Sequence, residues 1–212
     1  MLSLVLVGCG TTTPSPSATP AMPGATVSSD PNRIEWIVRA QDGVDARFPH
    51  FAEAKLNAAI DLDIKAIIEP AKSVRLVVRC EPTVTNAHLA SVRCKIEDDR
   101  GGAHPKETAV ALNHTRDGRS FGLDEMFTSD ARKALSELCV DELSRQKAQW
   151  IVEGMKDVAK FLHTVNVTGT GLLVTFDPYE VGPNAEGFHE VAIRWDRVRT
   201  LIALSGPVAY AR

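Results

Sequence analysis

Two short loops and a pair of cysteines carry the residue types in this sequence best suited to chemistry. The first loop is Gly101-Gly102-Ala103-His104-Pro105. Its glycines allow backbone conformations at positive φ, and Pro105 keeps His104 out of the helical region. The imidazole is thus presented on a stiff bend between two strands, either to bind a ligand or to bond a backbone carbonyl within a turn. The second loop is Phe176-Asp177-Pro178-Tyr179-Glu180-Val181-Gly182-Pro183, followed by Gly187-Phe188. Asp177 can cap the turn that Pro178 begins, leaving Tyr179 and Glu180 on a rigid segment held by Pro183. This reads as a rigid contact loop or as a structural Ω-like loop. A cation site from Asp177, Glu180 and Glu190 is the weaker alternative, because three irregularly spaced carboxylates do not make a calcium loop. The binding-loop candidates are therefore Gly101, Gly102, His104, Pro105, Asp177, Pro178, Tyr179, Glu180 and Gly187. No catalytic residue, metal ligand or cofactor is expected.

Several enzyme signatures fail. Ser120, in Gly118-Arg119-Ser120-Phe121-Gly122, sits in a hairpin-like turn, not the strand–turn–helix of a nucleophile elbow. No histidine pair has the spacing of a zinc helix, and the six histidines are scattered. Thr168-Gly169-Thr170-Gly171 lacks the lysine of a phosphate loop and reads as a hairpin turn. Two carboxylates brought together by the fold would still suit a glycosidase. The 24 basic and 27 acidic residues, net charge −3, are interspersed without a basic stripe, which argues against a nucleic-acid partner.

The elements that must position these loops follow from hydrophobic period. Residues 34–38 read as a strand, and Phe48-Pro49-His50 as the opening of a helix. Leu56, Ile60, Ile64, Ile67 and Ile68 recur at helical spacing until Glu69-Pro70. Val74, Leu76, Val78 and Cys80 alternate on one strand face, and Val92, Cys94 and Ile96 on the next. A hairpin centred near Ala87 sets Cys80 opposite Cys94 and Val78 opposite Ile96, which predicts a cross-strand disulfide. Residues 108–114 form a third strand, closed by Asp117-Gly118.

Thr128 or Ser129 can cap a helix over 130–147 whose stripe is Ala131, Leu135, Leu138, Cys139 and Leu143, making Cys139 a core thiol. A second helix is predicted over 151–160, strands over 162–167, 172–176 and 188–193, and a short helix over 196–203. Strands and helices come in blocks. The fold class is α+β, a mainly antiparallel sheet with helices packed on it, in a single domain over 33–212.

The amino terminus points to where such a domain works. Leu6-Val7-Gly8-Cys9 resembles a bacterial lipobox, which implies lipidation of Cys9 and cleavage just before it. Residues 10–32, rich in Thr, Ser, Pro, Ala and Gly, cannot bury enough apolar surface to order themselves and read as a tether. The expectation is an exported protein on the outer face of a bacterial membrane, where an oxidising compartment permits the disulfide.

Gly101-Gly102-Ala103-His104-Pro105, Asn113, Asp117-Gly118 and Leu123-Asp124-Glu125-Met126-Phe127 occur in that order. A helix follows, then residues 172–180 and Val181-Gly182-Pro183-Asn184-Ala185-Glu186-Gly187-Phe188. Together these resemble the carboxy-terminal domain of RsiV, an anti-sigma factor whose outer part binds lysozyme. A similar domain occurs in a secreted mycobacterial immunogenic protein and beside polysaccharide deacetylase domains. The resemblance covers about residues 35–204. It implies an α+β fold and a binding role toward an envelope or cell-wall partner, lysozyme-like enzymes included. The sequence as given shows neither a sigma-binding segment nor a deacetylase domain, and Asn184 stands where relatives often carry an aromatic. A cell-wall or ester hydrolase and a structural envelope component are the alternatives.

Overall fold

The computed structural model describes residues 33–70, 74–102 and 104–211. The predicted lipobox at Cys9 and the tether over 10–32 lie outside the described residues. The described residues form an α+β fold of eight strands in two sheets. The larger has five strands in the order β1 (Glu35–Gln41), β2 (Val44–His50), β3 (Arg75–Thr85), β4 (Leu89–Asp99) and β5 (Lys106–Thr115). The smaller has three, β6 (Val165–Val167), β7 (Gly171–Phe176) and β8 (His189–Arg194). All pairings are antiparallel except β2 with β3. That pair is joined by a crossover helix, α1 (Ala54–Ile68), as a parallel pair requires.

Two parts of the sequence reading are corrected. Residues 48–50 do not open a helix but end strand β2. Asp42 and Gly43 both adopt positive φ (51° and 78°), the requirement of a tight I′ hairpin turn, so β1 and β2 are a hairpin. Pro49 is tolerated because the β2–β3 pairing stops at Arg47, so beyond that point its missing N–H breaks no bond to β3. The predicted helix over 151–160 is only one turn, α4 (Gln149–Val152). Gly154, at φ 115°, turns the chain out of helical conformation, and a short 3-10 turn (Ala159–Phe161) follows.

The strand expected over 162–167 forms only over Val165–Val167, and the helix expected over 196–203 is one α turn over Trp195–Val198 and a 3-10 turn over Arg199–Leu201; elsewhere the periodicity is realised. The β3–β4 register sets Cys80 against Cys94 and Val78 against Ile96, and the two cysteines are bonded. Closing a loop of 14 residues' separation contributes about 3 kcal/mol by restricting the unfolded chain. Leu56, Ile60 and Ile64 of α1 pack on the face that carries Val78, Cys80, Val92, Cys94 and Leu112. The long helix of the carboxy-terminal half, α3 (Ala131–Gln146), buries Ala131, Leu135, Cys139 and Leu143. It packs in a second cluster with the small sheet and with α2 (Leu123–Met126). Burial pushes the Cys139 thiol up to about 12, which makes it an inert core residue. A last turn, α5 (Trp195–Val198), follows β8.

Strand alternation gives the large sheet a second, polar face, and β6 lies on it. The Ser91 hydroxyl donates to Asn113 Oδ1 at 2.6 Å. It accepts from Asn166 Nδ2 at 3.0 Å and from the Val167 N–H at 3.1 Å. Asn113 Nδ2 donates to the Val165 carbonyl at 2.9 Å, and the Thr83 hydroxyl to the Val167 carbonyl at 2.6 Å. Ser91, Asn113 and Asn166 are at most 4% exposed, so each of these bonds replaces water.

Ser91→Ala strips one donor and one acceptor from the centre of this seam, taking from Asn113 Oδ1 and the Val167 N–H their bond to Ser91 and from Asn166 Nδ2 one of its two bonds. We expect a loss of about 3 kcal/mol, against about 1 kcal/mol for a single neutral hydrogen bond, measured as a shift in urea unfolding. A loss below 1 kcal/mol would mean that the Ser91 hydroxyl does not hold the two sheets together.

Candidate functional site

The two loops singled out above come together. The first joins β4 to β5. The second joins β7 to β8 through a short 3-10 turn (Asn184–Glu186). They line opposite sides of one cleft of about 500 Å³, within the usual size of ligand sites. From the first loop and the start of β5 come His104, Pro105, Lys106, Glu107 and Thr108. From the second come Asp177, Pro178, Tyr179, Glu180 and Asn184.

Hydrogen bonds fix the second wall to the first. As the edge strand of its sheet, β5 offers unpaired backbone groups outward. Asp177 Oδ1 accepts the Ala109 N–H at 2.7 Å, and the Thr164 hydroxyl donates to the Ala109 carbonyl at 2.9 Å. Asp177 therefore does not cap its own turn with its carboxylate, as the sequence suggested. The turn is closed by the Glu180 N–H donating to the Asp177 carbonyl at 3.1 Å, and the Glu180 side chain accepts the Asp177 N–H at 2.8 Å. With Pro178 first and Tyr179 at φ 70° second, the turn has the backbone hand that normally calls for glycine. It holds Tyr179 outward, 64% exposed.

Among the motif glycines, Gly101 (φ 79°) and Gly187 (φ 68°) need positive φ. Gly187 also has ψ −147°, a conformation all but closed to other residues. Gly102 is not in that region, so the expected freedom is used at one glycine of the pair.

Sequence reasoning missed His163. The β6–β7 hairpin pairs Val165 with Val174, and the Thr175 N–H donates to the Thr164 carbonyl. His163 is thereby carried to the end of β7 where the second loop starts. Its Nε2 lies 3.2 Å from Glu180 Oε1. One ligand atom each from His163, Asp177 and Glu180 lie within 4.8 Å of one another. The signal was available: a hairpin centred on the Gly169-Thr170 turn sets residue 163 opposite residue 176.

Glu190, in contrast, lies elsewhere. It pairs with Arg93 at 2.6 Å and Lys95 at 2.9 Å, with Lys95 over the Phe188 ring. The set Asp177, Glu180 and Glu190 is thus not a site.

Burial pushes the carboxyl of Asp177 above its ordinary range, and the Ala109 N–H, His163 and Lys106 oppose this only in part. Burial raises Glu180 too. The Asp177 charge adds to it, while the Asp177 N–H and His163 pull the other way. Burial thus outweighs the favourable partners at both carboxyls and makes their charged forms costly.

Ser120 has a neighbour that the sequence did not disclose. It is the cross-strand partner of His114, whose Nε2 lies 2.8 Å from Asp63 Oδ2 on α1. These are the residue types of a nucleophilic triad. His114, however, is 2% exposed, and its ring ties β5 to α1 beneath the surface a substrate would approach.

Residues 124–196 match the model of a family described as a protein of unknown function, DUF3298. No curated protein matches the sequence. Among the solved structures similar to this chain are two of one family. One is a DUF3298 family protein from Pseudomonas aeruginosa PAO1, with TM-score 0.58 and 15% identity, over 82% of this chain and 95% of that one. The other is a member of the same family from Bacteroides fragilis NCTC 9343, with TM-score 0.61 and 16% identity, over 84% and 96%. Likeness at this identity concerns the fold.

A carboxyl that holds its proton more tightly in the folded chain than in the unfolded one costs stability as pH rises. The unfolded state deprotonates first, from the ordinary value of 4.5 for Glu180 upward. Glu180→Gln removes that titration. Its stability relative to the unaltered protein should therefore increase between about pH 4 and pH 6, read from paired urea midpoints. A difference that stays flat or falls would contradict the raised proton affinity of the Glu180 carboxyl.

Proposed function

We propose that this chain is a tethered module of the bacterial envelope that binds a protein or cell-wall ligand, with the cleft lined by residues 104–108, 177–180 and 184 as its contact face. One observation carries the reading: two loops picked out independently by their residue types line the same cleft. An exposed tyrosine on a turn of fixed backbone is a low-entropy contact. His104, Asn184 and the carboxylates supply polar partners around it. The resemblance to the RsiV outer domain supports a protein ligand, with a lysozyme-type enzyme the first to test. Export through a lipidated Cys9 accords with the Cys80–Cys94 bond, which persists in oxidising compartments.

An ester hydrolase would draw on Ser120, His114 and Asp63, and the burial of His114 weighs against it. A glycosidase would draw on Asp177 and Glu180. The two lie in one turn and share a histidine, whereas acid and base must stand on either side of a scissile bond.

Tyr179→Ala should weaken capture of lysozyme, or of peptidoglycan fragments if these are the ligand, at least tenfold without altering the fold. Binding unchanged by Tyr179→Ala would remove the cleft from the contact. Peptidoglycan or ester turnover abolished by His104→Ala or Ser120→Ala would replace the binding reading with catalysis. Cys9→Ala should release the protein from the membrane fraction, and an unchanged fraction would refute the anchor.

A further inference from the structure

We propose that His163, Asp177 and Glu180 form a binding site for one divalent transition-metal ion of the zinc type. The three residues come from two sides of the β6–β7 hairpin, and their ligand atoms lie within 4.8 Å of one another. An ion with bonds of about 2.0–2.2 Å holds its ligands roughly 3–4 Å apart, so small side-chain rotations close the set. His163 is half-exposed, with 50% of its side chain accessible, while the Glu180 side chain is 13% exposed. The mobile member can thus swing onto a fixed pair.

The pair is held from behind. Asp177 Oδ1 takes the Ala109 N–H, and Glu180 Oε2 takes the Asp177 N–H. Hydrogen bonds of this kind orient metal ligands before the ion arrives. Glu180 Oε1 is the oxygen turned toward the imidazole. Charge points the same way. Burial leaves both carboxylates with raised proton affinity, at Asp177 despite His163 and Lys106 and at Glu180 despite His163, and a dication offsets that cost of burying charge.

The donor set, one imidazole nitrogen and two carboxylates, suits zinc, and manganese less tightly. It departs from the all-oxygen shells of calcium and magnesium. Asp177 and Glu180 also line the cleft, so an ion held there keeps coordination positions open toward whatever enters. The inference does not depend on which macromolecule the cleft contacts.

The test is calorimetric titration of the full chain, stripped with a chelator, using zinc, manganese, magnesium and calcium chlorides separately. Wild type should take up one equivalent of zinc, with manganese weaker and magnesium and calcium weaker still. His163→Ala, at a half-exposed position, should keep its circular dichroism spectrum and lose at least tenfold in zinc affinity. Glu180→Gln should do the same. No zinc uptake by the wild type, or uptake unchanged in His163→Ala, would overturn the site and leave an ion pair between His163 and Glu180. Calcium or magnesium binding as tight as zinc would overturn the assigned class of ion. The Tyr179→Ala binding experiment reads the cleft separately, so either idea can fail without the other.

Discussion

The hydroxyl of Ser91 is the hinge-pin of this molecule. It sits on the polar face of the large sheet, 0% exposed, and joins Asn113 of β5 to Asn166 and the Val167 amide of β6. A sheet that packs on an apolar face can slide, because the hydrophobic effect has no direction. A sheet that packs through buried hydrogen bonds cannot, because every shift leaves a polar group unmatched. The seam therefore sets the distance between the two sheets. The cleft has one wall on each, so its width depends on the bonds that join the two sheets. Ala109 extends the same logic to the sheet edge, where Asp177 and Thr164 take both its backbone groups. One carboxylate thus belongs to the architecture and to the site together.

Much of this fold was legible because many of its elements bury one face only. In β3 and β4 the alternation is regular enough to give the register, and with it the Cys80–Cys94 pair. In α1 and α3 the stripes are helical and uninterrupted. The β1–β2 hairpin was missed for a local reason. Asp42-Gly43 is a strong turn signal, but Phe48-Pro49-His50 competes with it by imitating a helix start, and only the early end of the β2–β3 pairing makes Pro49 acceptable in a strand. The helix expected over 151–160 failed at Gly154, whose positive φ overrides the weak periodicity around it.

The site was legible in part and for a different reason. Loops rich in glycine and proline, with a histidine or tyrosine between, declare themselves through backbone constraint. That the two share a cleft is a property of sheet packing, which no local pattern encodes. Glu190 illustrates the point. By sequence it stands near Asp177 and Glu180. Because β8 runs alongside Arg93 and Lys95 of the other sheet, its charge is claimed there. His163 is the reverse case, at nearly the same separation from Asp177 along the chain yet adjacent in space through a three-residue strand.

The span of the seam also has a kinetic meaning. The β3–β4 and β6–β7 hairpins close over short stretches of chain, whereas Ser91 and Asn166 are 75 residues apart. Loop-closure entropy makes such a distant contact slow to form relative to its local neighbours. The large sheet and α1 are complete once the chain has emerged to about residue 115, but the recess between the sheets has then only one wall. It comes into being when the last third of the polypeptide docks, so a partner that recognises both walls distinguishes a finished molecule from a nascent or partly opened one.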